Sequence, residues 1–204
     1  MFNYFGAEEE EKQKKFAQKR DDFLRGPVIF LSKIGIKPNH ITLLSVILFF
    51  IAVGIVIEHP ILGGVIGLFY CLLDGLDGPL ARYQQIDSKG GSLIDMFADQ
   101  VGVIVLPIIS VIYFESNYIF AYIFGLFYII EIFLLTILNH LKIEFGFVLR
   151  VKYPYYFLFL VCAYLQVDYL SIFYYIFGTY YLVHALFLYA KLIQFYNTSK
   201  YKEK

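Results

Sequence analysis

Charge is scarce in this chain: Asp, Glu, Lys and Arg make up 17% of its 204 residues, against 59% apolar and 20% aromatic residues. That balance is too apolar for an ordinary water-soluble domain. Tryptophan is absent, so the aromatic content rests on 22 Phe and 19 Tyr. The two cysteines, Cys71 and Cys162, both fall in apolar stretches and read as small core residues rather than as a disulfide or a reactive thiol. No basic tract interleaves with aromatics, so no nucleic-acid partner is expected. The N-terminus lacks the basic start and apolar core of a signal peptide and runs instead into Glu8, Glu9, Glu10 and Glu11, a solvated start from which nothing should be cleaved.

What is present is a series of long apolar stretches. A membrane span needs about 20 predominantly apolar residues. Hydropathy places six spans at roughly 39–58, 61–82, 92–114, 117–139, 153–167 and 170–195, the fifth being short. Residues 8–37 differ: Phe16, Phe23, Leu24, Val28, Ile29, Leu31 and Ile34 are dispersed among charges, the pattern of an amphipathic helix lying on a membrane surface. The chain therefore reads as an all-α integral membrane protein, with a juxtamembrane helix over 1–38 and a six-helix transmembrane domain over 39–204. Six spans put 1–38, 83–91, 140–152 and 196–204 on one side, and these segments hold 15 of the 17 Lys and Arg residues. The other two, Arg82 and Lys191, lie at span ends facing the same way, and the opposite loops have none. Such asymmetry makes the basic side, with both termini, cytoplasmic.

Acidic residues inside spans carry the functional signal. Asp74 and Asp77 lie near the cytoplasmic end of the second span, three residues apart, and Asp95 and Asp99 near the start of the third, four apart. Each pair shares a helix face, and the short turn from Tyr83 to Gly91 makes the helices antiparallel neighbours whose four carboxylates can converge. A charged side chain at the bilayer centre costs roughly 2.5–3.5 kcal/mol on insertion scales, and clustering like charges adds to that. Arg82 is the one nearby cation in the sequence, which leaves about three negative charges to balance. Two divalent cations, Mg²⁺ or Mn²⁺, would do so, since carboxylates and water are the ligands such hard ions prefer. Gly78 and Ala81 would let a bulky group approach the backbone, and the Arg82 fork suits a phosphate oxygen. Gly75, Gly78 and Pro79 make this helix end irregular, which is tolerated at depth where it lines a cavity or protein interior. Two metals on shared carboxylates would polarise a diphosphate as it is cleaved.

The run DGLDGPLARYQQIDSKGGSLIDMFAD, residues 74–99, resembles the motif D-x2-D-G-x2-A-R-x8-G-x3-D-x3-D of the CDP-alcohol phosphotransferase family. All eight specified positions are filled, by Asp74, Asp77, Gly78, Ala81, Arg82, Gly91, Asp95 and Asp99. The stretch Pro38-Asn39-His40-Ile41-Thr42 is similar to the start of that family's first span. The resemblance reaches over the surface helix and the first three spans; the later spans match in number and hydropathy. It implies six transmembrane helices behind a surface helix, a cytoplasmic-side site and a homodimer. It also implies metals on Asp74, Asp77 and Asp95, with Asp99 as a further ligand and the general base. Gly78, Ala81, Arg82 and Gly91 would bind CDP, with Asn39 and Thr42 near it. The implied reaction transfers a phosphatidyl-type group from a CDP-linked lipid, ester or ether, to a small hydroxyl acceptor with release of CMP.

The acceptor is less legible. His140, Lys142, Glu144, Arg150 and Lys152 face the site side, and three cations there suggest a phosphorylated polyol such as inositol phosphate or glycerol phosphate; orientation-setting charge on a cytoplasmic loop explains them equally well. Two rival functions remain at this stage. A CDP-choline or CDP-ethanolamine donor acting on diacylglycerol would use the same motif. A cation transporter would explain intramembrane carboxylates but not Gly78, Ala81 and Arg82 at their spacing. Among smaller features, Gly63 and Gly67 form a G-x3-G pair suited to helix packing or a dimer contact. Glu131 lies deep in the fourth span without an obvious partner. His184 reads as a hydrogen-bonded interior or interface residue. The Tyr and Phe clusters at 153–159 and 173–181 read as interface belts and packing.

Overall fold

The computed structural model describes residues 18–86, 89–146 and 148–199, and for residues 89, 91–95, 97 and 199 the backbone alone. Expectations for Phe16, for Glu8 to Glu11, for the 200–204 tail and for the Asp95 side chain lie outside the described residues. Among those described, every regular element is an α-helix. Residues 18–23 form α1, followed by α2 (Arg25–Lys33), α3 (Pro38–Val56), α4 (Pro60–Tyr83), α5 (Lys89–Phe114), α6 (Tyr118–His140), α7 (Lys152–Leu165) and α8 (Leu170–Ser199).

Local chemistry explains the boundaries. Gly35 (φ +77°) ends α2: the Gly35 N–H donates to Ser32 O and the Ile36 N–H to Leu31 O. This paired C-terminal closure uses a left-handed residue that only glycine adopts at no steric cost. Pro38 and Pro60 open α3 and α4 at the first turn, where a missing N–H loses nothing. Lys37 before Pro38 is extended, as the proline ring requires. Asn117 caps α6 by accepting from the N–H groups of Ile119 and Phe120. Gln166 ends α7 in the left-handed region.

The six apolar stretches each overlap one of the helices α3 to α8. Among the described residues, four of these helices are long and apolar enough to cross a membrane: Pro38–Val56, Pro60–Tyr83, Tyr118–His140 and Leu170–Thr198. Ala98–Phe114, the part of α5 whose side chains are all described, is shorter, and α7 has 14 residues. At 1.5 Å per residue α7 spans about 21 Å, less than the hydrocarbon thickness.

Packing runs through aromatic side chains. Phe49, Tyr70, Phe124, Tyr155, Tyr156, Phe159, Phe173, Tyr174 and Tyr181 are buried in one cluster drawn from α3, α4, α6, α7 and α8. The Tyr clusters thus serve as core: Tyr155 and Tyr174 share a hydrogen bond of 2.5 Å, and Tyr174 and Ser110 one of 2.6 Å. Tyr153 and Tyr175, by contrast, stay exposed as a belt would require. α2 docks on the start of α3 and the end of α4, where Val28, Ile41 and Leu80 are buried together, while Phe30 and Ile34 point outward. Gly63 and Gly67 pack inside the chain rather than toward a second copy. A Cβ on Gly63 would lie 2.6 Å from Val56 Cβ, and one on Gly67 3.5 Å from the Tyr156 ring.

Candidate active site

The C-terminal half of α4 is polar within an apolar helix and carries a proline in its interior, Pro79. Pro79 lacks the N–H that would bond the Gly75 carbonyl, freeing that oxygen from the helix ladder. Asp74 and Asp77, one turn apart, are both buried at 6% exposure, so each carboxylate needs partners. Asp77 has two. Its Oδ2 accepts from Thr42 Oγ1 of α3 at 2.7 Å, and its Oδ1 from the Gly78 N–H at 2.6 Å. Ser45 Oγ in turn donates to the Thr42 carbonyl at 2.8 Å. Asp74 Oδ2 accepts from Lys152 Nζ, the first residue of α7, at 2.6 Å, whereas its Oδ1 is buried with no hydrogen-bond partner. Asp99 of α5 accepts a short hydrogen bond from the same Lys152 ammonium.

These contacts correct two expectations. Lys152, placed by sequence with the acceptor loop, is buried and joins the aspartates. Arg82, counted as their nearby cation, is instead held by α1: its Nε donates to Asp21 Oδ2 at 2.7 Å and its Nη2 to Asp21 Oδ1 at 2.6 Å. The four carboxylates were expected to converge on one point. Among the described residues no three acidic, His or Cys side chains form a metal-holding group. The physical reason is visible in the three that are described: Asp77 is turned toward Thr42 and Gly78, and an ammonium stands between Asp74 and Asp99. Asp95 is in the second turn of α5, its side chain outside the described residues.

The remaining expected residues divide into two groups. Gly78 lies under two guanidinium groups, since a Cβ there would be 3.4 Å from Arg82 Nη1 and 3.5 Å from Arg20 Nη2. Ala81 is half-buried on the following turn, Gly91 is in the first turn of α5, and Asn39 is exposed at the start of α3. His140, Lys142, Glu144 and Arg150 are exposed at the end of α6 and in the loop beyond it, not gathered at the aspartates. That loop is pinned to α8: Leu149 N–H donates to Tyr180 Oη at 3.3 Å, Tyr181 Oη donates to Leu149 O at 3.2 Å, and Lys191 Nζ donates to Glu144 O at 2.9 Å. Sequence reading missed Arg20, Asp21 and Tyr70, whose ring centroid lies 5.1 Å from Lys152 Nζ. Only Arg20 and Asp21 left a trace, as adjacent opposite charges on the helix preceding the spans.

Away from this site, Glu131 of α6 is 1% exposed and its Oε1 lies 3.0 Å from His184 Nδ1 of α8. The His184 ring stacks between Tyr180 and Phe187. Glu131 therefore has a partner, and it belongs to the α6–α8 contact rather than to the aspartates.

The chemistry of the donor set fits hard divalent cations. Asp74, Asp77 and Asp99 offer oxygen ligands alone, and Asp74 Oδ1 is a buried lone-pair donor with nothing to bind. The site thus gathers buried carboxylates with one ammonium in contact, beside two guanidinium groups over Gly78. A search of the curated proteins found no match. The family model for CDP-alcohol phosphatidyltransferase matches residues 36–193, most of the chain and all of α3 to α7. With the motif, the buried aspartates and the apolar helices in agreement, the chain belongs to the CDP-alcohol phosphatidyltransferase family, transferases of phospholipid synthesis.

Proposed function

We propose that the chain moves a phosphatidyl-type group from a CDP-linked lipid to a small hydroxyl acceptor and releases CMP. The observation that carries this reading is the filled eight-position motif whose Asp74 and Asp77 are buried at one end of an apolar helix, within a chain matched by the family over 36–193. All six helices α3 to α8 cross or enter the bilayer in this reading, α1 and α2 lie on its cytoplasmic surface, and both termini and the aspartates face that side. A homodimer in the membrane is part of the same reading.

Asp74, Asp77, Asp95 and Asp99 would hold two divalent ions, Mg²⁺ or Mn²⁺, which supply Lewis-acid neutralisation of the diphosphate. The chain's own residues do the rest. Gly78 and Ala81 leave room for the donor against α4, and Arg82 offers paired N–H groups to phosphate oxygens. Asp99 retains 27% of its side chain exposed, against 6% for Asp74, so of the described carboxylates it is the one an incoming hydroxyl can reach. Asp99 takes that proton, the acceptor oxygen attacks the β-phosphorus in line, and CMP departs. The buried walls of the α4 end keep water from competing for the same phosphorus.

The deciding experiment is CMP release by purified protein with CDP-diacylglycerol and its ether-lipid counterpart, Mg²⁺ or Mn²⁺, and a panel of acceptors. The panel sets inositol phosphate and glycerol phosphate against free inositol and serine. Equal use of free inositol or serine would remove the phosphate-pocket reading. Turnover of CDP-ethanolamine with diacylglycerol, and none with CDP-diacylglycerol, would reverse the lipid's role. No CMP from any donor would overturn the proposal.

A further inference from the structure

Lys152 is 8% exposed, and its ammonium is shared between carboxylates of two different helices, Asp74 of α4 and Asp99 of α5. A buried lysine needs such partners, because an unpaired charge in an apolar interior is strongly disfavoured. Lys152 occupies Asp74 Oδ2 and Asp99 Oδ1 and stands beside Asp74 Oδ1, the oxygen left free for another cation. A lone pair that accepts an N–H at 2.6 Å is not simultaneously available for a metal bond of about 2.1 Å. Coulomb repulsion points the same way, since an ammonium and a dication within about 4 Å repel by several kcal/mol even in a moderately polar interior. The two kinds of cation therefore compete for the same two carboxylates.

We infer that Lys152 is a built-in counter-cation of the aspartate site, which competes with divalent ions for Asp74 and Asp99 and sets how tightly they bind. The inference rests on the metal-binding reading proposed above. Lys152 acts here as a positioning residue through the carboxylates. The exchange needs a side-chain movement and no shift of α7, because the preceding loop is held to α8 through both backbone groups of Leu149. The Tyr70 ring, 5.1 Å from the ammonium, forms one wall of the position it leaves. A purely structural ion pair would steady the fold without opposing metal, and that difference can be measured.

The test uses the full chain in detergent, with no lipid substrate, and follows free Mn²⁺ by electron paramagnetic resonance for wild type, Lys152→Met and Lys152→Arg. Removing the charge is expected to tighten Mn²⁺ binding about tenfold or more, while Lys152→Arg stays within about threefold of wild type because the charge persists. In chelator Lys152→Met should melt below wild type, and saturating Mn²⁺ should raise its Tm by more than it raises that of wild type. Unchanged or weaker Mn²⁺ binding by Lys152→Met overturns the inference and leaves the metal reading standing. Absence of Mn²⁺ binding by wild type and Lys152→Met alike overturns both. Should Lys152→Met fail to fold, amine acetylation of wild type read by mass spectrometry decides: labelling of Lys152 should be faster with Mn²⁺ than with chelator, and equal or slower labelling overturns the inference.

Discussion

Asp99 and Gly102 sit one turn apart on α5 and face different demands. Asp99 is the most exposed of the three described carboxylates, so Asp99→Asn should lower kcat by about 10²–10⁴ while CDP-lipid binding, measured by equilibrium dialysis, stays within a few-fold. Full turnover in that variant would remove Asp99 as the base. Gly102 meets steric limits instead: a Cβ there would lie 2.5 Å from Tyr156 Oη and 2.9 Å from Tyr70 Oη. Both rings are buried beside Lys152 or one another, at a centroid separation of 5.5 Å, so neither can retreat freely. Gly102→Ala should therefore destabilise by about 1–3 kcal/mol, whereas Gly125→Ala, with nothing within 4 Å of its Cβ, should be neutral or slightly stabilising. Equal melting temperatures for the two alanine variants would contradict this. Motif spacing picked out the carboxylates in the sequence, but it could not reveal that a lysine 53 residues from Asp99 and 78 from Asp74 meets them. Nor could it distinguish Lys152 from Lys142 and Arg150, which share its loop and stay exposed.

Helices meet through few polar contacts, and each such contact carries an expectation. α1 grips α4 by the paired hydrogen bonds from Arg82 to Asp21. Because that pair is partly exposed, Asp21→Ala should change the melting temperature little. It should raise KM for the CDP-lipid about two- to fivefold by letting the Arg82 fork wander, with kcat nearly unchanged. A fall in KM would mean that Asp21 competes with the donor instead of orienting Arg82. The α6–α8 contact is different, because Glu131 is buried and the His184 ring beside it stacks on Tyr180 and Phe187. Glu131→Leu strands a polar ring and should cost about 1–3 kcal/mol. Adding His184→Phe should recover much of that, a coupling that a double-mutant cycle in detergent would measure. Additive losses would show that the two residues act separately. In the sequence Glu131 stood alone, because its partner lies on a helix two elements further along the chain.

At the scale of the whole molecule, the open question is how many helices cross the bilayer. Among the described residues four are long and apolar enough by themselves, and the proposed topology uses six. The two alternatives put two loops on opposite sides. With six crossings Lys142 is cytoplasmic and Glu115 external; with α3, α4, α6 and α8 alone these positions are reversed. Cysteines introduced as Lys142→Cys and Glu115→Cys, probed by an impermeant thiol reagent on intact cells, decide between them. The native Cys71 and Cys162 are buried and should give little background. Labelling of Glu115→Cys without permeabilisation, and of Lys142→Cys only after it, is the expected result, and the reverse pattern would remove the six-span arrangement.

The sequence by itself determined that these stretches become helices, since a backbone in lipid satisfies its polar groups most simply within one segment, and apolar length marks where that must happen. It also determined the candidate carboxylates, because helical periodicity places residues three and four apart on one face without reference to the rest of the chain. Tertiary structure alone decided what those carboxylates touch. Lys152 at Asp74 and Asp99, Asp21 at Arg82, Thr42 at Asp77 and His184 at Glu131 are all contacts between separate elements. They arise where helix packing brings distant turns within hydrogen-bond range, and buried charge accepts no partner that is not already there.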